Sequence, residues 1–145
     1  MINMELSTFL LADHAEAANG KLYVVGGAWN RIAAATFPAS HNHLSVGAVI
    51  HVPWESTNEP HDMELRLVDA DGAPIIPEPL HGSFEAGRPA GMRPGEEQLV
   101  VMVFNFNGLV FEKPGAYEFH LLVDDQEMGR LRFDVVKIDG PSPNA

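Results

Sequence analysis

Tyr117-Glu-Phe-His-Leu-Leu-Val123 and Leu131-Arg-Phe-Asp-Val135 are the stretches whose reading decides the fold class. In the first, Tyr117, Phe119, Leu121 and Val123 alternate with Glu118, His120 and, one step on, Asp124; in the second, Leu131, Phe133 and Val135 alternate with Arg130, Arg132 and Asp134. Successive side chains of a strand point to opposite faces, so each run has one apolar and one polar face. Joined near Asp124-Asp125-Gln126, they predict an antiparallel hairpin that lays its apolar face on a core.

The same period of two extends towards the N-terminus. Leu44, Val46, Ala48, Ile50 and Val52 fall on one face of a strand, with His43, Ser45, Gly47 and His51 on the other. Met63, Leu65 and Leu67 repeat the pattern against Glu64 and Arg66, and Asp69-Ala-Asp-Gly72 reads as a turn. Leu80 to Phe84 reads as an edge strand blunted by Pro77 and Pro79. Met4 to Ala12 and Lys21 to Gly26 read as two strands of a hairpin with an enlarged loop, in which Asp13 to Asn19 forms at most a turn or two of helix. Asn19-Gly20 supplies the positive backbone angles a tight turn needs. Trp29 to Ala34 is expected to continue that sheet beyond Gly26-Gly27, until Phe37-Pro38 ends it. Leu99 to Phe106 is a strand that Asn107-Gly108 turns, and Ala86 to Glu96 is too rich in Gly and Pro for regular structure. The whole predicts an all-β, antiparallel two-sheet β-sandwich of about seven to nine strands with little helix.

Size and composition narrow the function classes. The 145 residues suit one domain, expected over residues 1–138, with 139–145 a disordered tail. The chain has no cysteine, which excludes disulfides, thiolate metal sites and cysteine nucleophiles and fits a reducing cytoplasm. Met1 to Glu5 lacks the basic start of a signal peptide, and no run is long enough to span a membrane. The net charge is -11 with 9 Lys and Arg, so nucleic acid is not an expected partner. Arg88 with Arg93, and Arg130 with Arg132, are the nearest approaches to an anion site, and acidic residues lie close to both pairs.

Chemistry is sparse. Gly-x-Ser-x-Gly and glycine-rich phosphate loops are absent, so the reading leans away from an enzyme and expects no cofactor. His41 and His43 stand two apart, a spacing that would send both rings to one side of a strand and suits a divalent metal. Trp54 lies in the polar stretch Pro53 to Pro60, where a large ring has little to bury against, which marks it as a candidate ligand contact. Leu99 to Phe106 is apolar on both faces. Leu99, Val101 and Val103 form one face, and Val100, Met102, Phe104 and Phe106 form the other, which is expected to be covered either by the Gly- and Pro-rich loop before the strand or, in the favoured reading, by a second copy in a dimer.

Two resemblances add to this reading. Pro114-Gly-Ala-Tyr117-Glu-Phe119 is similar to the corner of immunoglobulin-like sandwiches, in which a tyrosine bonds back to the backbone, with Phe119 in the place of the second disulfide cysteine. More widely, Leu11-Ala-Asp13, Gly20-Lys-Leu22, Phe37-Pro38, Leu65-Arg-Leu-Val-Asp69, Asn107-Gly-Leu109 and Phe111 to Asp124 together resemble a family of small bacterial proteins of unknown function. That resemblance implies a shared fold and carries over no catalytic or ligand residue. The expected function is a non-enzymatic interaction module that self-associates; the alternative is a small-ligand or divalent-metal binding domain using the Trp54 loop or the histidines.

Overall fold

The computed structural model describes residues 3–140, so most of the expected tail, from 141 on, lies outside the described residues. Among these described residues nine strands run in chain order: β1 (Glu5–Ala18), β2 (Lys21–Gly27), β3 (Arg31–Ala34), β4 (Ala39–Val52), β5 (Pro60–Asp69), β6 (Leu80–Glu85), β7 (Gln98–Phe111), β8 (Gly115–Val123) and β9 (Gln126–Lys137). They form two packed sheets, ordered β2-β1-β4-β7 and β3-β9-β8-β5-β6. Trp54–Ser56 makes the only helical turn among the described residues. The all-β sandwich expected from the alternation is therefore the observed architecture. One pairing departs from the antiparallel rule: β3 runs parallel to β9, with Ile32 opposite Val135.

The core lies where the inner faces meet. Phe111, Tyr117, Phe119 and Phe133 are all buried and touch in series, Phe111 edge-on to Tyr117 at 4.9 Å and Phe119 stacked on Phe133 at 5.7 Å. Offset and edge-on geometries of this kind add to the stabilisation from area burial. Tyr117 also makes the corner bond that its sequence context suggested, its hydroxyl donating to the Lys113 carbonyl at 2.5 Å. That bond fixes the chain as it passes from β7 in one sheet to β8 in the other. The β8–β9 turn falls at Asp124 and Asp125, both with positive φ (48° and 63°), and the Asp69 carboxylate closes the turn after β5 by accepting from the amides of Asp71 and Ala73.

Several segments differ from expectation. β1 does not stop at Ala12 but runs on to Ala18, so Asp13 to Ala18 is strand and only Asn19-Gly20 (φ 53° and 71°) remains as a tight turn. The β1–β2 hairpin then folds across the outer face of β4. The Ala15 amide donates to Ser45 Oγ at 3.0 Å, and a Cβ on Gly47 would lie 3.3 Å from the Leu22 side chain. That cover explains why Leu44 to Ala48 are buried without a break, although alternate residues point away from the core. After the hairpin the chain leaves the sheet, and β3 joins the opposite one.

β7 also runs through the expected turn, to Phe111. Even-numbered residues are buried from Met102 to Phe106 and odd-numbered ones from Leu109 on. The change of phase falls at Gly108, whose φ of 69° a side-chain-bearing residue adopts only with strain. Its neighbour β4 changes phase at the same level, between Ala39 and Leu44, because the two strands stay in one register from Ala39–Phe111 to Val52–Gln98.

Candidate functional site

The strand assigned to self-association settles which of its faces is free. Met102, Phe104 and Phe106 are 7 to 8% exposed and belong to the core, and Val100 is packed against it. The expectation that Val100, Met102, Phe104 and Phe106 cover a partner is thus corrected. They point between the sheets because they share a face with Leu44, Val46, Ala48 and Ile50 of β4, their register partners. The outward residues are Leu99, Val101 and Val103, with Leu99 47% exposed. Composition could not decide this, since both faces are equally apolar.

β7 is moreover an edge strand, and its fourteen residues, Gln-Leu-Val-Val-Met-Val-Phe-Asn-Phe-Asn-Gly-Leu-Val-Phe, include neither a charge nor a proline. Past the phase change it exposes Val110 at 45%. The other edge of the same sheet, β2, exposes Tyr23 and Val25 at 51% and 65%. Only Lys21 carries charge there.

The two metal candidates are separated by the phase change in β4. His41 lines a cleft of about 250 Å³ at the end of the sandwich with Ile32, Pro38, Ala39 and Phe111, and its ring lies 6.0 Å from that of Trp29. Burial there draws its imidazole below the ordinary value of 6.5, against the opposing pull of a hydrogen bond to the His43 backbone and of Asp13. His43 instead lies beside His14 of β1, with its Nδ1 facing Asn107 Oδ1 at 2.8 Å. The expectation that both rings share one side is corrected accordingly. No three His, Cys, Asp or Glu residues among the described residues come together as a metal centre.

Trp54 does not offer a bare ring. The Arg88 guanidinium sits 3.5 Å from the ring centroid, with Nη2 donating to the Trp54 carbonyl at 2.9 Å and Nε to Thr57 Oγ1 at 2.6 Å. A ligand stacking on that face would displace a cation–π contact. Arg93 pairs with Glu96, so the two arginines of this loop do not join in an anion site.

Sequence reasoning missed a polar pair behind this loop. His61, at the start of β5, is 3% exposed, and both its ring nitrogens face acceptors: Nδ1 lies 2.7 Å from Asp124 Oδ2 and Nε2 2.7 Å from the Ser56 carbonyl oxygen. Desolvation pulls its pKa down, but the Ser56 carbonyl and Asp124 outweigh it, and the net shift is upward. For Asp124 burial pushes up, and the His61 and Asp62 hydrogen bonds outweigh it, so its carboxyl is lowered. This part-buried pair ties the Trp54 turn to the β8–β9 turn. No spacing in the sequence announces a contact between residues 63 positions apart.

Together these features define a small, cysteine-free β-sandwich with two sparsely charged edges on one sheet. The profile of a family of unknown function, DUF6941, matches residues 7–136, and the chain belongs to that family. No curated protein matches it. Among solved structures it is similar to the Pseudomonas fluorescens alkylpurine DNA glycosylase AlkC bound to abasic-site DNA (11% identity, TM-score 0.47, 92% of this chain and 30% of that one). It is also similar to the β-glucosidase EmGH1 of Erythrobacter marinus (14%, 0.48, 93% and 16%) and a Listeria innocua β-glucosidase in complex with glucose (11%, 0.43, 97% and 16%). The chain spans less than a third of each of those proteins, and likenesses this distant carry no argument about activity. Among the described residues no helix is long and apolar enough to cross a membrane.

Proposed function

We propose that the domain is a non-enzymatic interaction module whose partner is a second copy of itself, docked along β7. The observation that carries this reading is the free edge of β7: fourteen residues without charge or proline, with Leu99, Val101 and Val110 turned outward. An unpaired edge offers a row of N–H and C=O groups to another strand, and natural sheets usually blunt it. Two chains of net charge -11 repel one another, so they meet best along a surface that carries none of that charge. A two-fold axis through β7 would pair the two copies antiparallel and make one continuous eight-stranded sheet, an isologous contact that closes on itself. The ligand-binding alternative through Trp54 has less support, because Arg88 already covers one face of the ring.

Light scattering at tens of micromolar protein tests this. A dimer is expected, and the double variant Leu99→Lys/Val101→Lys should give a folded monomer. A strict monomer in the unaltered chain would overturn the proposal.

A further inference from the structure

His14 and His43 meet nitrogen to nitrogen, with Nδ1 of His14 3.1 Å from Nε2 of His43. Their other nitrogens are both aimed at oxygen acceptors. His14 Nε2 lies 3.1 Å from Glu16 Oε1, and His43 Nδ1 lies 2.8 Å from Asn107 Oδ1. A neutral imidazole has one N–H and one lone pair. When each ring gives its N–H to its oxygen partner, the two lone pairs are left facing each other across 3.1 Å, which is repulsive unless an electrophile lies between them. A metal ion is such an electrophile.

The surroundings match what a metal asks of histidine. A ligating imidazole almost always donates its second N–H to a carboxylate or carbonyl oxygen, which fixes the tautomer and ring orientation. Glu16 and Asn107 stand in those two positions. With zinc–nitrogen bonds of about 2.0–2.1 Å, two tetrahedral ligands sit about 3.3 Å apart, so the observed separation needs only a small adjustment. Ser45 Oγ, 3.4 Å from His43 Nε2, is already engaged: it accepts from the Ala15 amide and donates to Asn105 Oδ1 at 2.5 Å.

We propose that His14 and His43 form a two-histidine site for a late first-row divalent metal ion, oriented by Glu16 and Asn107 and completed by water. Two imidazoles favour zinc, nickel or copper over magnesium or calcium. The His14 side chain is 45% exposed, so the remaining coordination positions open to solvent and leave room for an exogenous ligand. The site joins β1 to β4 at the level where the hairpin folds over the sheet, so a bound ion clips the hairpin in place.

Calorimetric titration of the untagged full chain with zinc chloride at slightly alkaline pH tests the site, with an amide NMR spectrum recorded for each variant to verify folding. One equivalent should bind with micromolar affinity, and magnesium should give no heat. His14→Gln and His43→Gln should each weaken binding more than tenfold, and Glu16→Gln, which removes only an orienting group, by about tenfold. His41→Gln should bind as the unaltered protein does. A folded His14→Gln chain that binds zinc undiminished would overturn the proposal, as would an unaltered chain that takes up no zinc.

Discussion

β6 and β7 are both edge strands, one on each sheet, and they are finished in opposite ways. β6 has six residues, follows Pro77 and Pro79, and carries His81 and Glu85 along its length. β7 has fourteen, with no proline and no charge. The remaining edges widen the contrast: β3 is four residues long and starts on Arg31, whereas β2 exposes Tyr23 and Val25. Short length, proline and charge stop a sheet from growing. One sheet therefore ends at its edges, and the other is left able to continue, which is what makes β7 the candidate docking surface.

The largest expected effect breaks the comparison inside β7 itself. Phe104→Glu places a carboxylate between the sheets, and the lost packing alone costs about 3–5 kcal/mol. Urea unfolding should find the variant largely unfolded or strongly destabilised. A stable, folded Phe104→Glu monomer would return the even-numbered face of β7 to the surface.

A smaller effect concerns the blunted sheet, where His61 pairs with Phe84 of β6 across the ladder and holds Asp124. His61→Gln should cost about 2 kcal/mol at mildly acid pH, by removing a charged hydrogen-bonding pair. Because the folded value of His61 lies above 6.5, the folded state binds its proton more tightly than the unfolded chain does. Its contribution is full below pH 6.5 and is lost as the pH rises through the folded value. Asp124, lowered from 3.8, contributes above that value and ceases to as the pH falls through its folded one. Stability measured from pH 5 to pH 9 should thus decline on the alkaline side in the unaltered chain and run flatter in His61→Gln; parallel curves would remove His61 as the cause.

Tyr117→Phe isolates the corner between the two sheets and should cost about 1 kcal/mol, by leaving the Lys113 carbonyl without its donor. A neutral result in thermal unfolding would mean that ring packing alone holds the corner. The smallest effect on stability belongs to Leu99→Lys, within about 0.5 kcal/mol, since that side chain faces solvent in the single chain. Its larger consequence should be on assembly, so sedimentation and unfolding measured on the same variant separate the outer face of β7 from the inner one.

By itself the sequence determined the fold class and most of the strands, because a period of two with one polar face can be satisfied only by a sheet packed on one side. That logic identified β5, β8 and β9, turn and proline signals placed β6 and the Asp69 and Asp124 turns, and the tyrosine at the corner came from a resemblance to immunoglobulin-like sandwiches. It failed wherever an element is covered twice or changes face. β7 is apolar on both sides, so the pattern could not say which side met the core, and its register with β4 decided. His41 and His43 are spaced for one face, yet Gly108 on the neighbouring strand marks the level at which β4 and β7 change phase, and the two rings part. His14 with His43, and His61 with Asp124, are 29 and 63 residues apart in the chain. Only the folding of the hairpin over β4 and the meeting of two turns bring them together, since such contacts depend on how whole strands are placed and not on any local spacing.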